Sequence, residues 1–108
     1  MIAVHEFLTE DGQSPFGEWF VGLDRRASAK VRAASVRLGD GNFSCVEGVG
    51  EGVYEYKIDY GPGYRVYFGK DGQHLILLLG GGTKQRQIRD IAKAKACWRN
   101  YKRRKKQE

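Results

Sequence analysis

The chain has 108 residues, of which 41% are hydrophobic and 30% charged, a composition that excludes a disordered chain. This length supports one hydrophobic core, so we expect residues 1–108 to form a single domain. The longest apolar run, residues 75–79, is far too short to cross a bilayer, and the N-terminus lacks the basic start of a secretory signal. We therefore expect a cytoplasmic protein that has no membrane partner.

The positive charge is concentrated at the C-terminal end. Residues 1–83 contain 8 Lys or Arg against 11 Asp or Glu, whereas residues 84–108 contain 11 against 2. Such asymmetry indicates an electrostatic partner, most simply a nucleic-acid phosphate backbone or an acidic protein. The alternative is a solvated segment that aids solubility. Residues 102–108 are expected to be a basic tail.

The first half of the chain predicts one strand and two helices. Residues 2–8 alternate loosely and indicate a short strand. Ser14 followed by Pro15 is typical of a helix start, and Asp24 is placed to cap a second helix. Each helix has one apolar stripe, which predicts a helical hairpin packed on a flatter element. The stripes are Phe16, Trp19, Phe20 and Leu23, and then Ala27, Val31, Ala34 and Leu38.

The second half predicts three strands and a helix. Residues 53–60 and 64–69 alternate in polarity, and residues 74–79 form an apolar, central strand. Gly-Pro-Gly at residues 61–63 and Asp-Gly at residues 71–72 predict the turns between them. The order β-α-α-β-β-β-α predicts an α+β domain. A helix from about residue 83 to residue 101 is expected to bury Ile88, Ile91, Ala94 and Trp98.

A cluster of basic residues is predicted on the face of the sheet away from the core. If Tyr60 faces Tyr64 across the hairpin, then Asp59 lies opposite Arg65 and Lys57 opposite Tyr67. Lys84 and Arg86 follow the triple glycine at residues 80–82. The alternative is a solvated sheet face with weak cross-strand pairs. Cys45 and Cys97 are not spaced as zinc ligands, and no metal or other cofactor is expected.

Such a basic, aromatic-flanked surface suits an RNA phosphodiester. Cleavage without a metal needs a group to activate the ribose 2′-OH, another to stabilise the transition state and a third to protonate the 5′-oxygen. Arg65 is suited only to stabilising charge, because it stays protonated. Lys57 or Lys84 is a candidate for proton transfer, and Tyr67 is a candidate donor or base by position.

The chain resembles the RelE/ParE superfamily of type II toxins, and more narrowly the HigB-like branch of addiction-module killer proteins. The resemblance spans roughly residues 2–102. The segments that carry it are WF at 19–20 with LD at 23–24, AKV at 29–31, RL at 37–38, GNF at 41–43, GVGEGV at 48–53, IDYGPGYRVYF at 58–68, LLLGGG at 77–82, Lys84, DI at 90–91, Ala94 and Trp98.

The resemblance implies a RelE-like toxin fold, with a small antiparallel sheet, a helical hairpin and a C-terminal helix. It also implies a toxin held inactive by a cognate antitoxin, commonly a helix-turn-helix DNA-binding protein, so that DNA is contacted only through that partner. RelE-like members cut mRNA, usually on the ribosome and without a metal. The implied activity is therefore a metal-independent mRNA endoribonuclease that inhibits translation.

The resemblance assigns catalytic roles to Arg65, Lys57, Lys84 and Tyr67. Lys57 stands where close relatives usually have arginine, and Thr83 where aspartate is commoner. Two other functions remain open, namely a ParE-like inhibitor of DNA gyrase and a non-catalytic module that binds RNA or an antitoxin. Candidate RNA-binding residues on the basic helix are Arg86, Arg89, Lys93 and Arg99.

Overall fold

The computed structural model describes residues 1–107 and has the predicted α+β class. No helix among these residues is long and apolar enough to cross a membrane. The elements are β1 (Ala3–Glu6), α1 (Pro15–Val21), α2 (Arg25–Gly39), β2 (Val46–Gly50), β3 (Val53–Ile58), β4 (Tyr64–Asp71), β5 (Leu75–Thr83), a 3₁₀ turn (Lys84–Arg86) and α3 (Gln87–Lys106).

The five strands form one mixed sheet in the order β1-β5-β4-β3-β2. Strands β2 to β5 pair antiparallel with one another, whereas β1 runs parallel to β5. The expectation of an antiparallel sheet was therefore wrong for the β1 edge. The long connection through α1 and α2 permits the parallel pairing, which a tight turn cannot make. Strand β2 was not predicted, because its sequence VEGVG contains two glycines and has little strand propensity.

The helical hairpin was predicted correctly because local signals define it. The Ser14 hydroxyl accepts a hydrogen bond from the Gly17 amide, and the Asp24 carboxylate accepts one from Ala27, both at 2.8 Å. These contacts satisfy backbone donors at the starts of α1 and α2. The predicted α2 stripe of Ala27, Val31, Ala34 and Leu38 is buried against the sheet.

Helices cover both faces of the sheet. The face that carries Arg65 and Tyr67 was expected to lie away from the core, but it packs a second hydrophobic cluster. Helices α1 and α2 cover one face, where Val66 and Phe68 are fully buried. Helix α3 covers the other face and packs Trp98 over β4. Gly69 makes this possible, because a Cβ there would overlap the Trp98 indole. Tyr67, on the α3 side, is consequently 0% exposed.

Helix α3 is longer than predicted and starts later. It continues to Lys106, so residues 102–106 are not a tail, while residue 108 lies outside the described part. Contacts hold this end: Lys105 lies 2.6 Å from Asp71, and Arg104 donates a hydrogen bond to the Leu8 carbonyl. Ile88 was expected to be buried but is 89% exposed, because it points away from the sheet in the first turn of the helix.

Candidate functional site

The pairing of β3 with β4 differs by two residues from the predicted register. Lys57 lies opposite Arg65, and Glu55 lies opposite Tyr67. Strand β3 ends at Ile58, two residues earlier than predicted, because residues 59–63 form the connecting loop, in which the Gly63 amide donates to the Tyr60 carbonyl. A shift of two residues leaves every side chain on its predicted face. Its effect is to make Lys57 and Arg65 direct cross-strand neighbours.

Arg65 forms an ion pair with a buried carboxylate. Its Nε lies 3.4 Å from Oε1 of Glu55, whose side chain is 1% exposed. The same Glu55 oxygen accepts a hydrogen bond of 2.8 Å from Nε2 of Gln87, in the first turn of α3. Glu55 thus links Arg65 to α3. Sequence reasoning did not select Glu55, although its place on the same strand face as Lys57 was a signal that an acid lies among the cations.

Arg65 and Lys84 converge on one backbone carbonyl. The Gly63 carbonyl accepts a hydrogen bond from Nη1 of Arg65 at 3.0 Å and another from the Lys84 amide at 2.8 Å. Lys84 is exposed, as is Lys57, which pairs with the exposed Glu47 at 2.9 Å. Three of the predicted catalytic residues therefore gather around the loop of residues 59–63. Arg65 lies beneath this surface, and the two lysines lie on it.

Tyr67 is separated from this surface. Its hydroxyl is buried and makes no hydrogen bond of ordinary geometry among residues 1–107, although it lies close enough to the Glu55 carboxylate for a weak one to raise its pKa. Burial raises the pKa of Tyr67, and the nearby carboxylates of Glu55 and Asp90 act in the same direction. A neutral phenol with no exposed surface does not contact a substrate in this conformation, so its position fits a packing role beneath Arg65.

A cleft of about 470 Å³ opens beside the cluster, between α1 and α3. The glycines at residues 80–82 of β5 form its floor. Trp19 lies over Gly81 and Asp90 lies over Gly82, and these close contacts require glycine because a Cβ at either position would overlap the residue above it. Arg86 and Lys93 also line the cleft. Sequence reasoning interpreted Trp19 as a core residue and assigned no role to Asp90.

Asp90 introduces a carboxylate into this basic surface. Its Oδ2 is buried and has no hydrogen-bond partner within the described chain. Burial raises the pKa of Asp90, opposed by the positive charges of Arg86, Lys93 and Arg89. An aspartate in such surroundings takes up a proton more readily than one in water. It is therefore a titratable group at the edge of the cleft, within the field of three cations.

The four candidate RNA-binding residues fall into two groups. Arg86, Arg89 and Lys93 are exposed, and none has a carboxylate within 4 Å in the part of the chain that the structure covers. Arg99 instead pairs with Glu51, and both side chains are about half exposed. The first three thus make no direct ion pair, and the acid whose charge they share is Asp90 at the edge of the cleft. No group of three or more His, Cys, Asp or Glu residues in positions 1–107 is arranged to hold a metal.

Comparison with known proteins shows that the chain is similar to an uncharacterized protein. The chain matches no protein-family model. It is 43% identical over 81 residues to an uncharacterized protein of Haemophilus influenzae (strain ATCC 51907 / DSM 11121 / KW20 / Rd). The aligned region covers 74% of this chain and 82% of that protein. At this identity and coverage, the chain belongs to the same family as the uncharacterized Haemophilus influenzae protein.

Proposed function

We propose that the chain is the toxin of a type II toxin–antitoxin pair with a RelE-like fold, of the HigB-like branch, and that it inhibits translation by cutting mRNA. The observation that carries this proposal is the convergence of Lys57, Arg65 and Lys84 around the loop of residues 59–63. Three basic residues from separate elements around one loop suit a phosphodiester, since its charge increases in the transition state of cleavage.

The proposed reaction uses the RNA itself as the nucleophile. The ribose 2′-hydroxyl gives its proton to water and attacks the adjacent phosphorus, which forms a 2′,3′-cyclic phosphate. The bond from phosphorus to the 5′-oxygen breaks, and that oxygen takes a proton from a charged lysine. Arg65 stabilises the negative charge on the phosphoryl oxygens, because its guanidinium is always protonated. Lys57 and Lys84 are exposed ammonium groups that donate hydrogen bonds to phosphate, and a charged lysine is an acid for the departing 5′-oxygen.

Two features support a role for the wider surface. Arg86, Arg89 and Lys93 extend the positive charge from the site along α3, which favours contact with further phosphates of mRNA or the ribosome. The glycine-floored cleft beside them has room for a nucleotide base next to Trp19. The proposed partners are therefore mRNA, the ribosome and a cognate antitoxin, commonly of the helix-turn-helix type, in the cytoplasm.

The test maps mRNA 5′ ends in a cell-free translation reaction, with and without ribosome assembly. The unaltered chain is compared with Arg65→Ala and with Lys84→Gln, whose exposed side chain is removed without opening the core. Arg103→Gln is the matched control, because it removes one exposed cation of α3 away from the site.

We expect new 5′ ends with the unaltered chain and with Arg103→Gln, and their loss with both site variants. If the ends also form without ribosomes, the proposal of mRNA cleavage is supported, and the expectation that cleavage requires the ribosome is wrong. Intact mRNA with undiminished translation at high protein concentration would overturn the proposal. In that case, DNA breaks that depend on gyrase would identify the ParE-like function, and their absence would favour the non-catalytic module.

A further inference from the structure

A second basic surface lies on α2, far along the chain from the basic C-terminal segment. The residues of α2 include Arg25, Arg26, Lys30, Arg32 and Arg37 and no acid. Residues 1–83 have a net negative charge although α2 is basic, because the acidic residues that outnumber its cations lie in other elements and loops. The net charge of a long segment therefore does not predict the charge of the surface that one of its helices forms.

A groove of about 610 Å³ runs between α2 and the C-terminal end of β3. Its floor contains Ala29 and Ala33, whose short side chains leave room for a chain to approach the helix. Asp59 is the acid in its lining. The cations and aromatic residues that line it are Arg26, Lys30, Arg37, Lys57, Tyr56 and Tyr60.

Three of the groove cations are not neutralised within the protein. No carboxylate among residues 1–107 lies within 4 Å of Arg26, Lys30 or Arg37. Instead, the Lys30 ammonium lies 5.2 Å from the centre of the Tyr60 ring, and Nη1 of Arg37 donates a long hydrogen bond of 3.5 Å to the Tyr56 hydroxyl. The tyrosine contacts orient Lys30 and Arg37 without cancelling their charge, so the groove attracts an anion.

The cations form a row rather than a point. At a rise of about 1.5 Å per residue, Arg26 and Lys30 are about 6 Å apart along the α2 axis, and Arg37 is about 10 Å further. Lys57 stands at the β3 side of the groove and is the cross-strand neighbour of Arg65. An extended polyanion fits such a row, whereas a single small anion contacts only one or two of its members.

We propose that this α2–β3 groove binds the sugar–phosphate backbone of a single-stranded RNA segment, outside the cluster of Arg65 and Lys84. Tyr60 favours RNA over an acidic protein segment, because its partly exposed ring offers a stacking surface to a base while the cations contact the phosphates, whereas Tyr56 is buried in the core. The choice of RNA rests on the proposed function, but binding here does not require cleavage. Lys57 connects the groove to the proposed cleavage site.

The test measures binding of a fluorescent 2′-O-methyl RNA strand by anisotropy at several salt concentrations, since this strand lacks the 2′-hydroxyl that cleavage uses. The groove variant is Arg26→Gln/Lys30→Gln. The control is Arg25→Gln/Arg32→Gln, which makes the same change in net charge on the same helix, at residues that do not line the groove. Circular dichroism and thermal unfolding verify that both variants are folded.

We expect the groove variant to bind several-fold more weakly and to lose about 1.4 from the slope of log affinity against log salt, for two single-strand phosphate contacts. The control is expected to retain most of its affinity and its slope. Equal losses in both variants, or no loss in the groove variant, would overturn the proposal. Loss of binding to polyglutamate without loss of RNA binding would also overturn it and assign the groove to an acidic protein. Cleavage by the Arg65 and Lys84 variants is measured separately, so either proposal can fail while the other stands.

Discussion

Nε of Arg65 lies 3.4 Å from Oε1 of Glu55, and the two side chains are 10% and 1% exposed. This pair lies between the sheet and α3, where Gln87 supplies a hydrogen bond to the same glutamate oxygen. The carboxylate that pairs with Arg65 is therefore inside the protein, whereas Lys57 and Lys84 lie at the surface. Arg65 depends on Glu55 for its position and on Gly63 for its outward contact.

Replacing Glu55 by glutamine is expected to lower the free energy of unfolding by about 3 kcal/mol, because the buried Arg65 charge loses its counter-ion. Urea denaturation measures this change. The control is Glu47→Gln, which removes an exposed partner of Lys57 and is expected to cost less than about 1 kcal/mol. Equal effects of the two variants would mean that the buried pair is no more important to the fold than the surface pair.

Replacing Tyr67 by phenylalanine tests whether its hydroxyl takes part in chemistry. The hydroxyl is buried and makes at most a weak hydrogen bond to Glu55, so its removal is expected to change the free energy of unfolding by less than about 1 kcal/mol. Cleavage is expected to persist as well. A fall in cleavage rate of about 100-fold or more, with stability unchanged, would restore Tyr67 as a proton donor or base.

Replacing Gly82 by alanine places a Cβ against the carboxylate of Asp90, whereas Gly80 has open space at the same position. Gly82→Ala is expected to lower the free energy of unfolding by about 1–3 kcal/mol through overpacking. Gly80→Ala is the control and is expected to be nearly neutral. Combining Gly82→Ala with Asp90→Ala relieves the overlap, and failure to recover stability in that double variant would assign the cost to the backbone instead.

The pair formed by Asp71 and Lys105 gives a prediction about pH. The Lys105 hydrogen bond, followed by that of Tyr101, lowers the pKa of Asp71 from its ordinary value of 3.8. Because the folded-state pKa is the lower one, the contribution to stability is complete above the ordinary value of 3.8 and disappears as pH falls through the lowered pKa. Since Lys105 is about half exposed, Asp71→Asn is expected to cost at most about 1 kcal/mol at pH 7.

Thermal unfolding of Asp71→Asn and the unaltered chain at a series of pH values measures this contribution. The difference between them is expected to shrink as the solution is made more acidic than the ordinary aspartate pKa. Asp11→Asn, in an exposed turn, controls for the general effect of losing one acid. A difference that stays constant down to the lowest pH would show that the pair does not depend on the Asp71 charge.

Features set by neighbouring residues were predictable from the sequence. The caps at Ser14 and Asp24, the buried stripe of α2 and the Asp71-Gly72 turn all depend on contacts a few residues apart. Such contacts form in the same way whatever the rest of the fold does. The face occupied by each side chain of β3 and β4 was also predictable, because alternation survives a register shift of two residues.

The site depended on contacts between distant segments. The pattern of β4 identified Arg65 and Tyr67 as neighbours on one face, but only the packing of α3 over that face determined that it is buried. Two other arrangements also join elements that are remote in sequence. Arg65 and Lys84 both bond to the Gly63 carbonyl, and Arg26 and Lys57 line the same groove. The sequence by itself therefore determined the helices, every strand except β2 and which residues are charged, because those properties are largely local. The tertiary structure decided which charges are buried, paired or left free for a ligand, because burial and pairing depend on which segments pack together.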